Sequence, residues 1–211
     1  MLETLALQRD SQYPPKFIAD GLCEVFSPFW ADLLHTNIFR YISSDILHQI
    51  HQGVFKDHLL KWCTNLVNKN PNTNLDKQFE AIPPYAGLQH FKSGISGIKQ
   101  WTMGEHKQVQ CVFVAALAGS VESHTLTAAH ALLNFIYLTQ YYSHTTELLA
   151  AMQDALHCFY KDKDVFTEWN GNFNIPKLHS LLHYLKIILL LGSLNGLNTK
   201  NTEHLHIDFT K

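Results

Sequence analysis

The chain has 211 residues, of which 46% are hydrophobic, 12% aromatic and 16% charged, and its net charge is −2. This amount of apolar material excludes an intrinsically disordered chain and is enough for a sizeable core. A stand-alone nucleic-acid binder normally has an excess of basic residues, because phosphate neutralisation supplies much of its affinity. With a pI near 6.7, any DNA contact must use a local patch or parts of a larger protein.

The N-terminal part divides into an irregular segment and a helix. Residues 1–28 contain proline turns and weak periodicity, so we predict an irregular segment followed by one helical domain over residues 29–211. The two serines at 43–44 offer a helix N-cap, and Asp45 suits the first turn because of the helix dipole. Apolar residues then recur at steps of four, which predicts an amphipathic helix that ends in Asn-Lys-Asn-Pro-Asn at 68–72.

The rest of the chain carries further helix signals and almost no strand signal. Phe79 marks a short helix, and Thr102 and Glu105 have the spacing of a capping box. Other helices are predicted to begin near Ser123, near Thr145 and at Pro176, and the last to end at Gly192. The best strand signal, at 172–175, is poor. The sequence therefore predicts a mainly α protein, a bundle of about five to seven helices.

Cysteine usage and hydropathy indicate an intracellular protein. The four cysteines are far apart and form no Cys-x-x-Cys pair; they are Cys23, Cys63, Cys111 and Cys158. The N-terminus has an early acid and lacks the pattern of a secretory signal. The most apolar stretch, 185–191, is too short to span a bilayer. We therefore expect free thiols in the nucleus or cytoplasm, no secretion and no membrane partner.

Three segments, taken in order, resemble a known family. They read FWAD at 29–32 with SDILHQIHQGVFKDH at 44–58, HFKSGISGIKQWT at 90–102, and FNIPKLHS at 173–180 with NTKNTEHLHID at 198–208. Together they resemble the Plavaka-type transposases, of the Kyakuja–Dileera–Zisupton group of cut-and-paste DNA transposons. The resemblance runs from about residue 26 to the C-terminus, and it covers a small part of a much longer family protein.

The resemblance implies a ribonuclease-H-like core with two aspartates and a glutamate, and a large helical insertion between the second and third acids. Three carboxylates hold two divalent ions, of which one activates the attacking oxygen and the other stabilises the leaving oxygen. Mg²⁺ or Mn²⁺ suits such oxygen-only sites. We expect this chain to comprise the insertion and the edges of that core. The metal then belongs to the full-length ancestor, and no cofactor is expected for this chain alone.

The resemblance assigns only some of the family's catalytic acids to residues of this chain. By position, the glutamate matches Glu203, and Asp32 is the best-placed match for the second aspartate. These two residues are also the implied metal ligands, in a site that a missing aspartate would complete. The first aspartate has no counterpart, because Asp10 and Asp20 lie in stretches that do not resemble strands.

Two of these matches have simpler alternatives. The family's Cys-or-Asp-x-x-His element matches Asp45 and His48, whose i,i+3 spacing lets their side chains meet. The alternative is an acid that favours the helix dipole beside an imidazole. Glu203 follows Thr202 and would serve equally as a first-turn capping acid.

Two further patterns suggest binding sites. Lys92, Lys99 and Lys107 lie among aromatic residues and glycines, where lysines grip phosphate and aromatic rings stack on bases. The alternative is a solvated loop with one buried tryptophan. His179 and His183 have the i,i+4 spacing that zinc uses, but neither an H-E-x-x-H motif nor paired cysteines accompany them, so structural histidines are favoured.

These features predict a transposase-derived fragment without independent DNA strand-transfer activity, because at most two of the three carboxylates are matched. A helix that begins after Thr202 has barely started at Lys211, so we expect a truncated piece of the catalytic region. The alternatives are a domesticated helical module that binds DNA or protein, and a histidine-based metal-binding helical protein. The candidate partners are DNA, the missing transposase domains and another protein.

Overall fold

The computed structural model of the chain describes residues 7, 12, 16–19, 45–99 and 101–197. The chain divides into two compact units, residues 1–42 and 43–211. In the first unit the described residues include one short helix, α1 (Lys16–Ala19). In the second unit the described elements are all helical, apart from an isolated bridge between Lys92 and Gly94. The prediction of a mainly α protein is confirmed, whereas the ribonuclease-H-like resemblance stays a prediction.

The helices follow one another closely along the second unit. A π-helix, Ile46–Leu60, continues directly into α2 (Lys61–Asn68). The later α-helices are α3 (Leu75–Ala81), α4 (Met103–Leu117), α5 (Ser123–Thr139), α6 (Thr146–Asp162), α7 (Thr167–Asn170), α8 (Pro176–Ser180) and α9 (Tyr184–Leu191). Short 3₁₀ helices lie at Lys163–Phe166, Leu181–His183 and Leu194–Leu197. None of the helices in these ranges combines the length and apolarity needed to cross a bilayer.

The helices predicted between Asp45 and Gly192 are present, with two changes. The helix expected from Pro176 to Gly192 is broken by the 3₁₀ turn Leu181–His183, and it ends where Gly192 adopts a positive φ of 85°. The first long helix has π winding in its first part, with i→i+5 hydrogen bonds and more than 3.6 residues per turn. Its buried residues, which pack against the core, are Ile46, Ile50, His51, Gly53, Val54, Phe55, Leu59 and Leu60.

The core is built around the α5–α6 pair, which packs more extensively than any other pair of described elements. The short connection at 140–145 makes the two helices antiparallel neighbours. Phe135 of α5 contacts Tyr184 of α9, with ring centroids 6.0 Å apart. Phe55 of the π-helix packs edge-on against Phe113 of α4, at 5.3 Å. Aromatic contacts of this kind join the π-helix, α4 and α9 to the bundle.

Three cysteines lie among the described residues, and all three are free. Cys63 in α2 is fully buried, and burial raises the pKa of its thiol. Cys111 and Cys158 are exposed. Free thiols agree with the expectation from their spacing; Cys23 lies outside the described residues.

A capping box fixes the start of α4. The Thr102 hydroxyl accepts a hydrogen bond from the Glu105 amide at 3.2 Å, and the Glu105 carboxylate accepts one from the Thr102 amide at 2.7 Å. We expect Thr102→Ala to lower the free energy of unfolding by about 1 kcal/mol, measured by urea denaturation, because a helix N–H loses its acceptor. Glu122→Ala is the control, since Glu122 is the N-cap of α5 without a side-chain cap bond; a change within about 0.5 kcal/mol is expected there. Equal losses in the two variants would contradict the role of the box.

Candidate nucleic-acid interface

A polar cleft separates the first long helix from α3 and the loop that precedes α4. Its volume is about 520 Å³. The polar and aromatic residues that line it are Lys56, Asp57, Lys61, Thr64, Asn65, Asn68, Asn74, Asp76, Ser96 and Trp101. Lysines, amides and an indole ring in one cleft are the groups that proteins use to contact nucleic-acid backbones and bases.

The contact between Lys56 and Trp101 forms one wall of the cleft. The Lys56 ammonium nitrogen lies 4.8 Å from the centroid of the Trp101 ring, within cation–π range. The indole N–H of Trp101 donates to the Ile98 carbonyl at 3.1 Å, which fixes the ring in the loop. The indole ring of Trp101 also contacts the His106 imidazole, and the two ring centroids are 5.0 Å apart. Lys56 is therefore positioned by an aromatic surface rather than by an acid.

A row of polar side chains continues from Lys56 along α2. Lys61 is exposed, and it begins α2. Asn65 and Asn68 follow at i+4 and i+7, so they share a helix face with Lys61 and line the same cleft. Along the chain, the cleft-facing side of the helix therefore has the ammonium groups of Lys56 and Lys61, followed by the amides of Asn65 and Asn68. Ammonium groups bind phosphate as point charges, and amides can donate and accept hydrogen bonds.

The two aspartates at the cleft are engaged by protein groups. Asp57 accepts a hydrogen bond from the Gln52 side chain at 2.9 Å and lies 3.5 Å from the Lys177 ammonium. Lys56 and Lys61 form no ion pair with any residue in the described ranges. The lysines thus keep their charge available for an anion, although the cleft contains as many aspartates as lysines.

Asp76 ties the loop to α3. Its carboxylate accepts hydrogen bonds from the backbone amides of Ile95, at 2.7 Å, and Ser96, at 3.0 Å, and from the Ser96 hydroxyl. Partial burial alone would raise the pKa of Asp76, but these hydrogen bonds outweigh it and lower the pKa. The loop can approach this closely because residue 94 is a glycine. A Cβ at Gly94 would lie 2.3 Å from the Asp76 Cβ, and the φ of Gly94 is +70°.

Asp45 and His48 meet as their spacing predicts. The Asp45 Oδ2 atom accepts a hydrogen bond from the His48 amide at 2.7 Å and lies 2.6 Å from His48 Nδ1. Asp45 is the N-cap of the π-helix, and not the first-turn residue that the sequence suggested; the serines at 43–44 lie outside the described residues. This contact suits both the family element and the dipole alternative, so its role stays a prediction.

The predicted catalytic acids Glu203 and Asp32 lie outside the described residues, as does the helix expected after Thr202. Within the ranges that are described, no three His, Cys, Asp or Glu side chains are grouped so that they could hold a metal ion. The catalytic and metal-binding roles of Glu203 and Asp32 therefore remain predictions.

Lys92, Lys99 and Lys107 are exposed, but they do not line the cleft. The structure instead places Lys56 and Lys61 there, which sequence reasoning missed because they are far from Trp101 along the chain. The available signal was the polar face of the first long helix, opposite the apolar stripe that predicted it. The DNA contacts that the sequence suggested for Lys92, Lys99 and Lys107 stay a prediction.

A buried polar cluster lies behind the cleft. His51 and His106 are 0% and 1% exposed, and their ring centroids are 6.0 Å apart. Gln110 Nε2 lies 3.0 Å from His51 Nδ1. Burial lowers the pKa of His51 to about 3 and that of His106 to about 4. Both imidazoles are therefore neutral near pH 7, which makes them structural parts of the interior.

The fold defines a mainly helical protein, and comparison with known families gives one match. Residues 1–63 match the family model described as Plavaka transposase. The match confirms the resemblance to Plavaka-type transposases over this part of the chain. No curated protein and no solved structure matches the chain. The matched range contains the first of the three resembling segments and the π-helix, whereas the segments at 90–102 and 173–208 lie beyond it.

Proposed function

We propose that this transposase-derived chain holds DNA by its phosphate backbone in the cleft between Lys56 and Trp101, and that it performs no strand transfer alone. The observation that supports the binding site is the Lys56 ammonium held 4.8 Å from the Trp101 ring, next to Lys61 and a row of amides. Lys56 and Lys61 form no ion pair within the described ranges, so these two lysines supply its attraction for phosphate.

The number of lysines limits the strength of this binding. Each phosphate that a lysine neutralises contributes about 0.9 to the slope of log affinity against log salt. Two lysines therefore predict a slope of about −1.8 and weak binding without sequence preference. Trp101 adds a surface on which an unpaired base can stack. We thus expect this chain to bind DNA weakly when it is alone and to act together with other domains.

The binding site predicts the effect of changing its lysines. Lys56→Gln and Lys61→Gln should each reduce the salt slope by about 1, because one phosphate contact is lost, and the double variant should abolish measurable binding. Fluorescence anisotropy with a labelled duplex and the corresponding single strand, at several salt concentrations, measures both quantities. Lys161→Gln is the control, because Lys161 is exposed on α6 and does not line the cleft.

The same assay tests the competing loop site. If the combined change of Lys92, Lys99 and Lys107 to glutamine removes binding while Lys56→Gln has no effect, the loop is the DNA contact and the cleft is not. Binding that is independent of salt would also contradict a phosphate site.

The absence of independent strand transfer follows from the number of acids. Two metal ions at a phosphodiester need three carboxylates, and the sequence offers matches for at most two, Glu203 and Asp32. In a nicking assay with Mg²⁺ or Mn²⁺ we expect no cleavage above background by the purified chain or by its Glu203→Gln variant. Metal-dependent cleavage that disappears in Glu203→Gln would overturn this part of the proposal and leave the DNA-binding part intact.

A further inference from the structure

Two imidazole rings meet on the surface where α8 passes into the 3₁₀ turn. His179 lies in α8 and His183 ends the turn, and both side chains are exposed. Their Nε2 atoms are 3.4 Å apart, and the rings are nearly perpendicular, with an interplanar angle of 78°. The two nitrogens therefore lie next to each other at the surface.

The separation of these nitrogens suits a shared metal ion. Zinc binds imidazole nitrogen at about 2.0–2.1 Å, and tetrahedral angles then place two ligand nitrogens roughly 3.3–3.4 Å apart. The observed 3.4 Å matches this separation, and rotation of the exposed rings can direct both lone pairs to one ion. A hydrogen bond between the rings would use one N–H and one lone pair, whereas a metal ion would use the lone pairs of both Nε2 atoms.

The backbone that carries the pair is firmly anchored. Pro176 occupies the first turn of α8, and Leu178 and Leu181 are buried in the core on either side of His179. The Tyr160 hydroxyl donates a hydrogen bond to the Leu178 carbonyl at 2.9 Å. The turn Leu181–His183 continues α8 without a gap, so both histidines are attached to one rigid segment. Ligands held on rigid elements lose little entropy when they bind a metal.

We infer that His179 and His183 form a two-imidazole site for a divalent transition-metal ion of the zinc class. Since no third His, Cys, Asp or Glu joins them within the described ranges, the remaining coordination positions are open to water or to a donor group of another molecule. Imidazole ligands favour Zn²⁺, Ni²⁺ and Cu²⁺ over Mg²⁺ and Mn²⁺. The site is therefore distinct in chemistry from a carboxylate site for catalytic Mg²⁺.

Calorimetric titration of the whole chain with zinc chloride tests the site. We expect one stoichiometric site that weakens by roughly tenfold or more in His179→Gln and in His183→Gln, because a chelate becomes a single ligand. The chain contains 14 histidines, so His157→Gln, at an exposed position of α6, is the matched control and should bind zinc like the parent. Mg²⁺ should give no signal that depends on either histidine.

A second measurement separates the site from loss of folding. In ¹H–¹⁵N imidazole spectra, zinc should shift the Nε2 signals of His179 and His183 together and leave that of the control histidine unchanged. Circular dichroism should show that the variants keep their helices, as expected for exposed side chains. Zinc binding that survives both substitutions, or no binding up to millimolar zinc, would overturn the inference.

Discussion

Gly94→Ala is expected to lower the free energy of unfolding by about 2–4 kcal/mol. An alanine at a φ of +70° is strained, and its Cβ would lie 2.3 Å from the Cβ of Asp76. Asp76 is a short side chain whose carboxylate holds the loop through Ile95 and Ser96, so it cannot move away without losing those hydrogen bonds. The measurement is chemical denaturation at neutral pH. The loop forms one wall of the cleft, so DNA binding should weaken as well.

Gly97→Ala is the matched control in the same loop. A Cβ at Gly97 meets no atom within 4 Å, and its φ is not positive, so the change should remain within about 0.5 kcal/mol. If Gly94→Ala is as stable as the parent, the close approach of the loop to Asp76 is wrong.

Acidification is expected to destabilise the protein through His51 and His106. Both have folded-state pKa values below the ordinary 6.5, about 3 and about 4, chiefly because of burial. Lys107 near His51 and Lys56 near His106 also lower these pKa values, and nearby acids oppose the shift. The unfolded chain therefore binds more protons than the folded protein below pH 6.5. Stability is fully present above that pH and falls as the pH decreases towards the folded pKa values.

The size of the pH effect follows from the same shifts. Each histidine contributes a slope of about 1.4 kcal/mol per pH unit, so the pair removes about 5 kcal/mol between pH 6.5 and 4.5. Urea denaturation at a series of pH values measures the total slope, to which carboxylates also contribute. His51→Gln should remove about 1.4 kcal/mol per pH unit from it, and His157→Gln should leave it unchanged. Imidazole signals of His51 and His106 that titrate near pH 6.5 in the folded protein would refute the prediction.

Helix boundaries in this chain are encoded locally, and they could be predicted. The capping box at Thr102, the Thr145 hydroxyl that accepts the Leu148 amide at 3.3 Å, and the positive φ of Gly192 each act within one turn of their helix. The π winding of Ile46–Leu60 was not predicted, because the apolar steps were interpreted with a period of 3.6. Val54 and Phe55 are both buried after Ile50, so the apolar spacing alone did not separate π winding from an α-helix.

The candidate site was harder to predict than the helices. Trp101 was identified as part of a basic, aromatic loop, but its cation–π partner Lys56 comes from a helix far earlier in the chain. Such a contact depends on how α4 and its preceding loop pack against the first long helix, and helix patterns alone do not determine that packing. The His179–His183 spacing was visible in the sequence, whereas the 3.4 Å separation of the two Nε2 atoms depends on the 3₁₀ turn that begins at Leu181.

The described cysteines differ in burial, so chemical modification of their thiols reports on whether the bundle is folded. Cys111 and Cys158 face solvent, so oxidants and alkylating reagents can reach them while the helices remain packed. Cys63 is fully buried and its thiol resists ionisation, and only the thiolate is nucleophilic. Modification of Cys63 therefore requires α2 to separate from its neighbours. A Cys63 adduct found on the chain would show that the bundle had opened before the reaction.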